Sequence, residues 1–359
     1  MQQRDGDILF SPSDLNAFLE CEHLTQLELA VARDELERPT DENPQAELVK
    51  RKGDEHEAAY LAHLIADGRE VTTIPNDWDL DTAARATEDA MRAGADVIYQ
   101  ACFVDGDWRG FADFVERQPD GRYEVVDTKL ARHSKPAYVL QLCFYSEQVA
   151  RIQASPPERM HVVLGTRERE SLRVADFLAY YHRVRERFVR TVAAGIDVYP
   201  LPVSFCDRCD FKQRCEDRWL ADDHLSLVAR MGRDQVRRLE AAGIARVDDF
   251  ARAPDEARPA SMAPRAYETL RDQAAMQVAA RTNEHAWKVL APEPSRGFEL
   301  LPEPSLGDLF FDIEGDPFWE PGRGLEYLWG IVDSAGVFRP FWAHDRAQER
   351  RAVEGVIDL

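Results

Sequence analysis

The stretch 109-RGFADFVERQPDGRYEVVDTKL-130 decides how this chain is read. Its two runs rich in Val, Phe and Tyr, 109–116 and 122–128, are separated by turn residues at 119–121, so they read as neighbouring antiparallel strands. Asp113 lies in the first run, and Asp127 and Lys129 lie at the end of the second. Side chains alternate along a strand, so Asp127 and Lys129 point to the same face. Two adjacent strands thereby offer two carboxylates and one ammonium to one point. Hard divalent cations take oxygen ligands of this kind, and an ammonium beside them suits a phosphate and the water that attacks it. Taken alone, G-x-x-D and D-x-K are common patterns, and a surface hairpin with solvated charges satisfies them equally well.

Working outward, residues 96–104 read as a third strand, preceded by helices over about 45–67 and 79–93. Ser13 is the expected cap of a first helix carrying Leu15, Phe18 and Leu19. Downstream, YVLQLCFYSEQVARI (138–152) is an apolar helix with Gln141 and Tyr145 on one face. RMHVVLG (159–165) is a short buried strand, and 175–195 is an amphipathic helix. That order predicts an α/β sandwich rather than a βαβ repeat. His56, in KGDEHEAAY, is either a structural histidine or a ligand. Residues 221–290 read as a small helical domain, 291–304 as a Pro-rich linker, and 305–359 as the truncated start of a further α/β domain opening with DLFFDIEG. Within the helical part, 227–253 resembles a helix-hairpin-helix turning at Gly243–Ile244, which fits either DNA phosphate contact or plain helical packing.

The net charge of −21 disfavours a nucleic-acid partner at first sight, yet net charge governs long-range steering and leaves room for a local basic groove. Lysine occurs only at 50, 52, 129, 135, 212 and 288, so Lys129 stands out. No apolar run approaches a membrane span and the N-terminus has no signal-like core, so a cytoplasmic protein is expected. Of the cysteines, Cys206, Cys209 and Cys215 form C-x2-C-x5-C, a spacing that converges on a soft metal centre. A zinc knuckle and an iron–sulfur cluster both fit it. The cluster requires a fourth thiolate, for which Cys21 is the best candidate, while Cys102 and Cys143 sit in apolar patterns.

In order, His56 in G-x-x-H, Gly110 and Asp113 in G-x-x-D, Asp127-Thr128-Lys129 as D-x-K, and Gln141 with Tyr145 as Q-x-x-x-Y resemble the RecB-like branch of the PD-(D/E)xK nucleases. The cysteine pattern is similar to that of its cluster-bearing members, such as the CRISPR adaptation nucleases and the AddB subunit. The resemblance implies a restriction-endonuclease-like α/β core over residues 1–220, clamped by a 4Fe–4S cluster on Cys21, Cys206, Cys209 and Cys215. It implies Mg2+ or Mn2+ held by His56, Asp113, Asp127 and the Thr128 carbonyl, with Lys129 at the nucleophilic water and Gln141 and Tyr145 in support. Asp312 and Glu314 would be the first acids of an RNase H-like segment. The implied activity is hydrolysis of DNA, single-stranded or at ends, in association with a helicase segment or subunit. The contrasting reading is a non-catalytic, cluster-stabilised DNA-binding scaffold.

Overall fold

A computed structural model describes residues 1–4, 6–39, 44–195, 197–283 and 286–359. The chain divides into two compact units. One comprises Met1, residues 16–42 and 188–299; the other comprises residues 2–15, 43–187 and 300–359.

The second unit begins with a small hairpin of β1 (Gln2–Arg4) and β2 (Asp7–Leu9). Helix α1 (Pro12–Glu20) follows, and Ser13 lies inside it rather than at its cap. Ser11 takes the boundary instead: its backbone N–H and its hydroxyl both donate to Asp14, at 2.7 and 2.9 Å. Proline favours the first helical position, so Pro12 starts the helix two residues ahead of the expected place. Helix α2 (Glu22–Ala32) then begins directly after Cys21, whose extended backbone separates the two helices.

After α3 (Pro44–Ala66), β3 (Val71–Thr73) and α4 (Leu80–Ala93) come the strands that organise the fold. These are β4 (Val97–Asp105), β5 (Trp108–Arg117) and β6 (Tyr123–Lys129), then α5 (Pro136–Gln153), β7 (Arg159–Leu164) and β8 (Arg169–Arg173). They form one six-stranded sheet in the order β3-β4-β5-β6-β7-β8. The β3/β4 and β6/β7 pairs are parallel, and the other pairs are antiparallel. Leu64 of α3 packs with Val97, Phe114, Val126 and Val163 in one core cluster, joined by the half-buried Tyr60 and Leu61. Burying such apolar faces is worth roughly 1.5–3 kcal/mol for each large side chain, which fixes α3 on the sheet.

The same unit holds a three-stranded antiparallel sheet in the order β11-β10-β9, built from β9 (Leu309–Glu320), β10 (Arg323–Asp333) and β11 (Phe338–Trp342), with α11 (Arg346–Ile357) after it.

The first unit contains α2, α6 (Leu178–Ala194, from Phe188 onward), α7 (Lys212–Asp222), α8 (Arg233–Ala241), α9 (Val247–Ala251) and α10 (Pro264–Ala280). Between α8 and α9, Gly243 adopts φ +84°, and its amide and that of Ile244 close the end of α8. Leu239, Ile244, Val247 and Phe250 of this hairpin are buried with Tyr267 and Leu270. No helix among the described residues is long and apolar enough to cross a membrane.

Candidate active site and cysteine cluster

The candidate site arises where the sheet stops being regular. The β5/β6 ladder ends at Phe114↔Val126, whereas β6 continues beside β7 through Asp127, Thr128 and Lys129. Past that point β5 and β6 separate, and the Asp113 carboxylate bridges the gap. Its Oδ2 accepts hydrogen bonds from the Thr128 N–H and the Thr128 hydroxyl, both at 2.8 Å. Opposite Asp113, Gln100 leaves the β4/β5 ladder at φ +57°, the left-handed region that non-glycine residues seldom adopt. The irregularity changes which face β5 presents. Gly110 lies against Tyr145 of α5, whereas Phe114 packs on Tyr60 of α3. Strands break their alternation in this way at bulges beside functional sites.

Asp127 is fully buried, and its Oδ1 has no hydrogen-bond partner. The Lys129 Nζ lies 2.5 Å from Oδ2 as an ion pair, and also sits over the Tyr138 ring at 5.6 Å. Burial above all, and then the Asp113 carboxylate, push the Asp127 carboxyl well above the usual range, against the pull of Lys129. A buried acid with an unsatisfied oxygen beside a second carboxylate is a donor set that a divalent cation would complete. His56 stands on α3, and its Nε2 lies 3.1 Å from the Val163 carbonyl, the residue paired with Thr128 across the ladder. That contact leaves Nδ1 as the nitrogen free for a ligand role. Among the described residues, however, no group of three or more His, Cys, Asp or Glu side chains is placed to hold a metal ion. His56 therefore does not close a cage with the two aspartates as the side chains stand.

Gln141 donates to the Tyr145 hydroxyl at 3.3 Å. Burial, the largest influence, raises the Tyr145 phenol, which the nearby Asp127 and Asp113 raise further, so it remains protonated. The tyrosine also explains the glycine of G-x-x-D: a Cβ on Gly110 would meet Tyr145 Cε1 at 2.7 Å and Phe144 at 3.2 Å. Gly110→Ala is accordingly expected to displace Tyr145 and destabilise the fold by about 1–3 kcal/mol, the usual penalty of overpacking. Urea unfolding reads this directly, and an unchanged midpoint would refute it.

Sequence reasoning missed Glu57. Its Oε1 accepts from the Tyr99 hydroxyl at 2.7 Å and the Gln100 amide at 2.6 Å. Burial first, then Asp113, raise its carboxyl above the ordinary range. The only signal was its position next to His56, which gives no hint that strand β4 would turn Gln100 toward it.

In the other unit, Cys21 precedes α2, Cys206 lies in a 3-10 turn over Ser204–Arg208, Cys209 follows that turn, and Cys215 is on α7. Cys21 and Cys209 pack beside Leu24, Leu27 and Phe211. The Val203 N–H donates to the Cys206 Sγ at 3.3 Å. All four are free thiols, and all are partly exposed. Burial pushes Cys215 up to about 11, and Cys209, Cys21 and Cys206 each add to the rise, so the four lie within electrostatic range of one another. Thiolates are the donors a soft metal centre takes, yet as the side chains stand no three of them are placed to hold an ion among the described residues. Cys102 and Cys143 are buried in the sheet-bearing unit, remote in kind from the other four.

Asp312 and Glu314 lie on β9, exposed and two residues apart, opposite Gly330 and Leu328 of β10.

A mixed sheet presenting Asp, then Asp-x-Lys, from adjacent strands is a framework of the kind that metal-dependent nucleases use. A family model described as the PD-(D/E)XK nuclease superfamily matches residues 21–216, more than half of the chain, and the chain belongs to that superfamily. Its members are nucleases, hence hydrolases, and generally use Mg2+ or Mn2+. No match was found among curated proteins. Among solved structures, the crystal structure of SSO0001 is 14% identical, with 60% of this chain and 89% of that one covered and a TM-score of 0.28, a likeness too low to support any inference.

Proposed function

We propose that the protein is a divalent-metal-dependent nuclease of RecB-like type that hydrolyses DNA phosphodiester bonds, in single strands or at ends. The observation that carries this reading is the fully buried Asp127 carboxylate, its Oδ1 without a hydrogen-bond partner and its Oδ2 paired with Lys129, under the influence of Asp113. Asp113 and Asp127, with the Thr128 carbonyl and Nδ1 of His56, would hold the ion. Bound Mg2+ or Mn2+ would supply positive charge that polarises the scissile phosphate and acidifies the attacking water. Lys129 orients that water and offsets charge developing on the phosphate. Gln141 and Tyr145 form a protonated hydrogen-bonding pair supporting the acidic floor. The test is cleavage of end-labelled single- and double-stranded DNA with Mg2+, Mn2+ or chelator. Metal-dependent cutting supports the reading, and intact DNA under every divalent ion defeats it.

The same reading assigns residues 1–220 to the nuclease domain, 221–290 to a helical domain, 291–304 to a linker and 305–359 to an RNase H-like segment bearing Asp312 and Glu314. Cys21, Cys206, Cys209 and Cys215 would hold a 4Fe–4S cluster, and a helicase segment or subunit would be the working partner.

Metal binding should depend on pH in a defined direction. Asp127 is held protonated to a higher pH than an ordinary carboxylic acid, and the ion displaces that proton. Affinity for Mg2+ should therefore rise with pH, by about tenfold per unit while one proton is released. For the metal-free protein, a raised carboxyl contributes stability that is present below the ordinary carboxylate range and is lost as pH climbs through the raised value. Mg2+ should thus raise the melting temperature more at alkaline than at acidic pH. Calorimetric titrations in buffers of different ionisation heat check the proton release, and a pH-independent affinity would exclude Asp127 as the titrating ligand.

A further inference from the structure

A cleft of about 440 Å3 in the sheet-bearing unit contains none of the residues assigned above except His56 at its edge. It is lined by α3, by the turns at 130–132 and 165–167, and by the end of β9 with the β9/β10 turn, residues 317–322. A second hollow of about 530 Å3 shares Arg132, Pro317 and Gly322 with it and extends it toward Arg323.

The two turns are locked together. The Gly165 N–H donates to the Ala131 carbonyl at 3.1 Å, and a Cβ on Gly165 would fall 2.3 Å from the Leu130 carbonyl oxygen. These turns carry Arg132 and Arg167, which both line the cleft. Arg167 is kept at φ +66°, a conformation that costs a non-glycine residue roughly 1 kcal/mol or more. Strain retained at an arginine, where glycine or asparagine would sit more easily, marks a position where the side chain is needed. Of the other charged groups here, Lys52 pairs with Glu55 at 3.0 Å and Glu320 with Arg346 at 3.1 Å. Neither Arg132 nor Arg167 has a carboxylate partner among the described residues. The β9/β10 turn meets the 165–167 turn: Gly322, at φ +74°, lies so close to Thr166 that a Cβ would contact it at 3.4 Å. Arg132 follows Lys129 by three residues, and His56, which lines the cleft, is the residue it shares with the proposed metal site.

We propose that this cleft is the path of single-stranded nucleic acid to Asp127 and Lys129. Arg132 and Arg167 hold backbone phosphates, and the 317–322 segment keeps duplex out. This deepens the nuclease reading and rests on it for the identity of the strand's destination. Two exposed guanidiniums match phosphate oxygens, and a groove of this size accepts one backbone.

The test measures binding in metal-free buffer, where nothing is cut, using labelled oligothymidylate, oligouridylate and a blunt DNA duplex. The Arg132→Ala/Arg167→Ala protein should hold oligothymidylate about tenfold or more weaker, with the slope of log affinity against log salt shallower by about 1.4, near 0.7 per lost phosphate contact. Arg132→Lys/Arg167→Lys should retain most of the slope, and the duplex should bind weakly and alike to all three proteins. Oligouridylate bound as tightly as oligothymidylate makes the path a reader of backbone alone, and weaker binding makes it selective for DNA; both support it. An unchanged slope in the alanine protein, or a duplex competing as well as the strand, overturns it. Cleavage that persists with an unchanged slope removes the cleft and leaves the nuclease reading, whereas strand binding through these arginines without cleavage under any divalent ion does the reverse.

Discussion

Asp127→Ala is expected to abolish DNA cleavage and weaken divalent-metal binding, whereas Lys129→Ala should lower turnover by about 10²- to 10⁴-fold with metal binding nearly intact. The difference follows from what each group does. Removing the Asp127 carboxylate leaves Asp113 as the only acid beside the Lys129 ammonium, so both the ligand set and the local charge balance fail. In the proposed mechanism Lys129 takes no part in holding the metal and acts on the water and on the charge that appears in the transition state, so its loss should fall on turnover. Asp127→Asn is the control for folding, because it keeps the buried volume. DNA binding should survive in all three variants, since backbone contacts elsewhere carry most of it. Calorimetry for metal and single-turnover cleavage separate the effects. Equal loss of metal affinity in the Asp127 and Lys129 variants would refute the division of roles. Cleavage that survives Asp127→Ala but vanishes in Asp312→Ala would place the chemistry on β9.

Cys21→Ala is expected to cost the protein its iron and about 5 kcal/mol of stability, the order of the entropy released when a very long chain loop is no longer closed. Cys21 and Cys206 are the ends of a loop that contains the whole six-stranded sheet, so a cluster joining them restricts the unfolded chain far more than a local knuckle would. The corresponding fall in melting temperature is about 10–20 °C. Cys102→Ala should keep its iron, because Cys102 is buried in the sheet-bearing unit, with burial raising its thiol to about 11. Protein purified without oxygen should be brown and contain about four irons per chain. A colourless protein with one zinc, or equal metal loss in both variants, would overturn the assignment of the cluster or of its fourth ligand.

How much of this was legible beforehand depends on the range of the forces involved. Strands β4, β5 and β6 were readable within a residue or two because β-branched and aromatic runs between turn residues carry their own local signal. Helices α3, α4 and α5 were readable for the same local reason, through apolar spacing. The short strands β3 and β8 were not, since β3 has only three residues and β8 is largely polar, and each gains its hydrogen bonds only from a neighbour already in place. The start of α1 was misplaced because two serines compete for it, and only the reach of Asp14 back to Ser11 decides between them.

The sequence by itself determined the family and the order of acid, acid, lysine along the chain, because those depend on residue type and spacing. The tertiary structure alone decided how Asp113 reaches Thr128, since the parting of β5 from β6 and the left-handed Gln100 that turns β5 over depend on pairings across the sheet. It alone decided that Glu57 takes the hydrogen bonds of Tyr99 and Gln100, that Gly110 makes room for Tyr145, and that a segment some 190 residues beyond Lys129 lines one cleft with Arg132. Such contacts join residues far apart in the chain, and no local pattern records them.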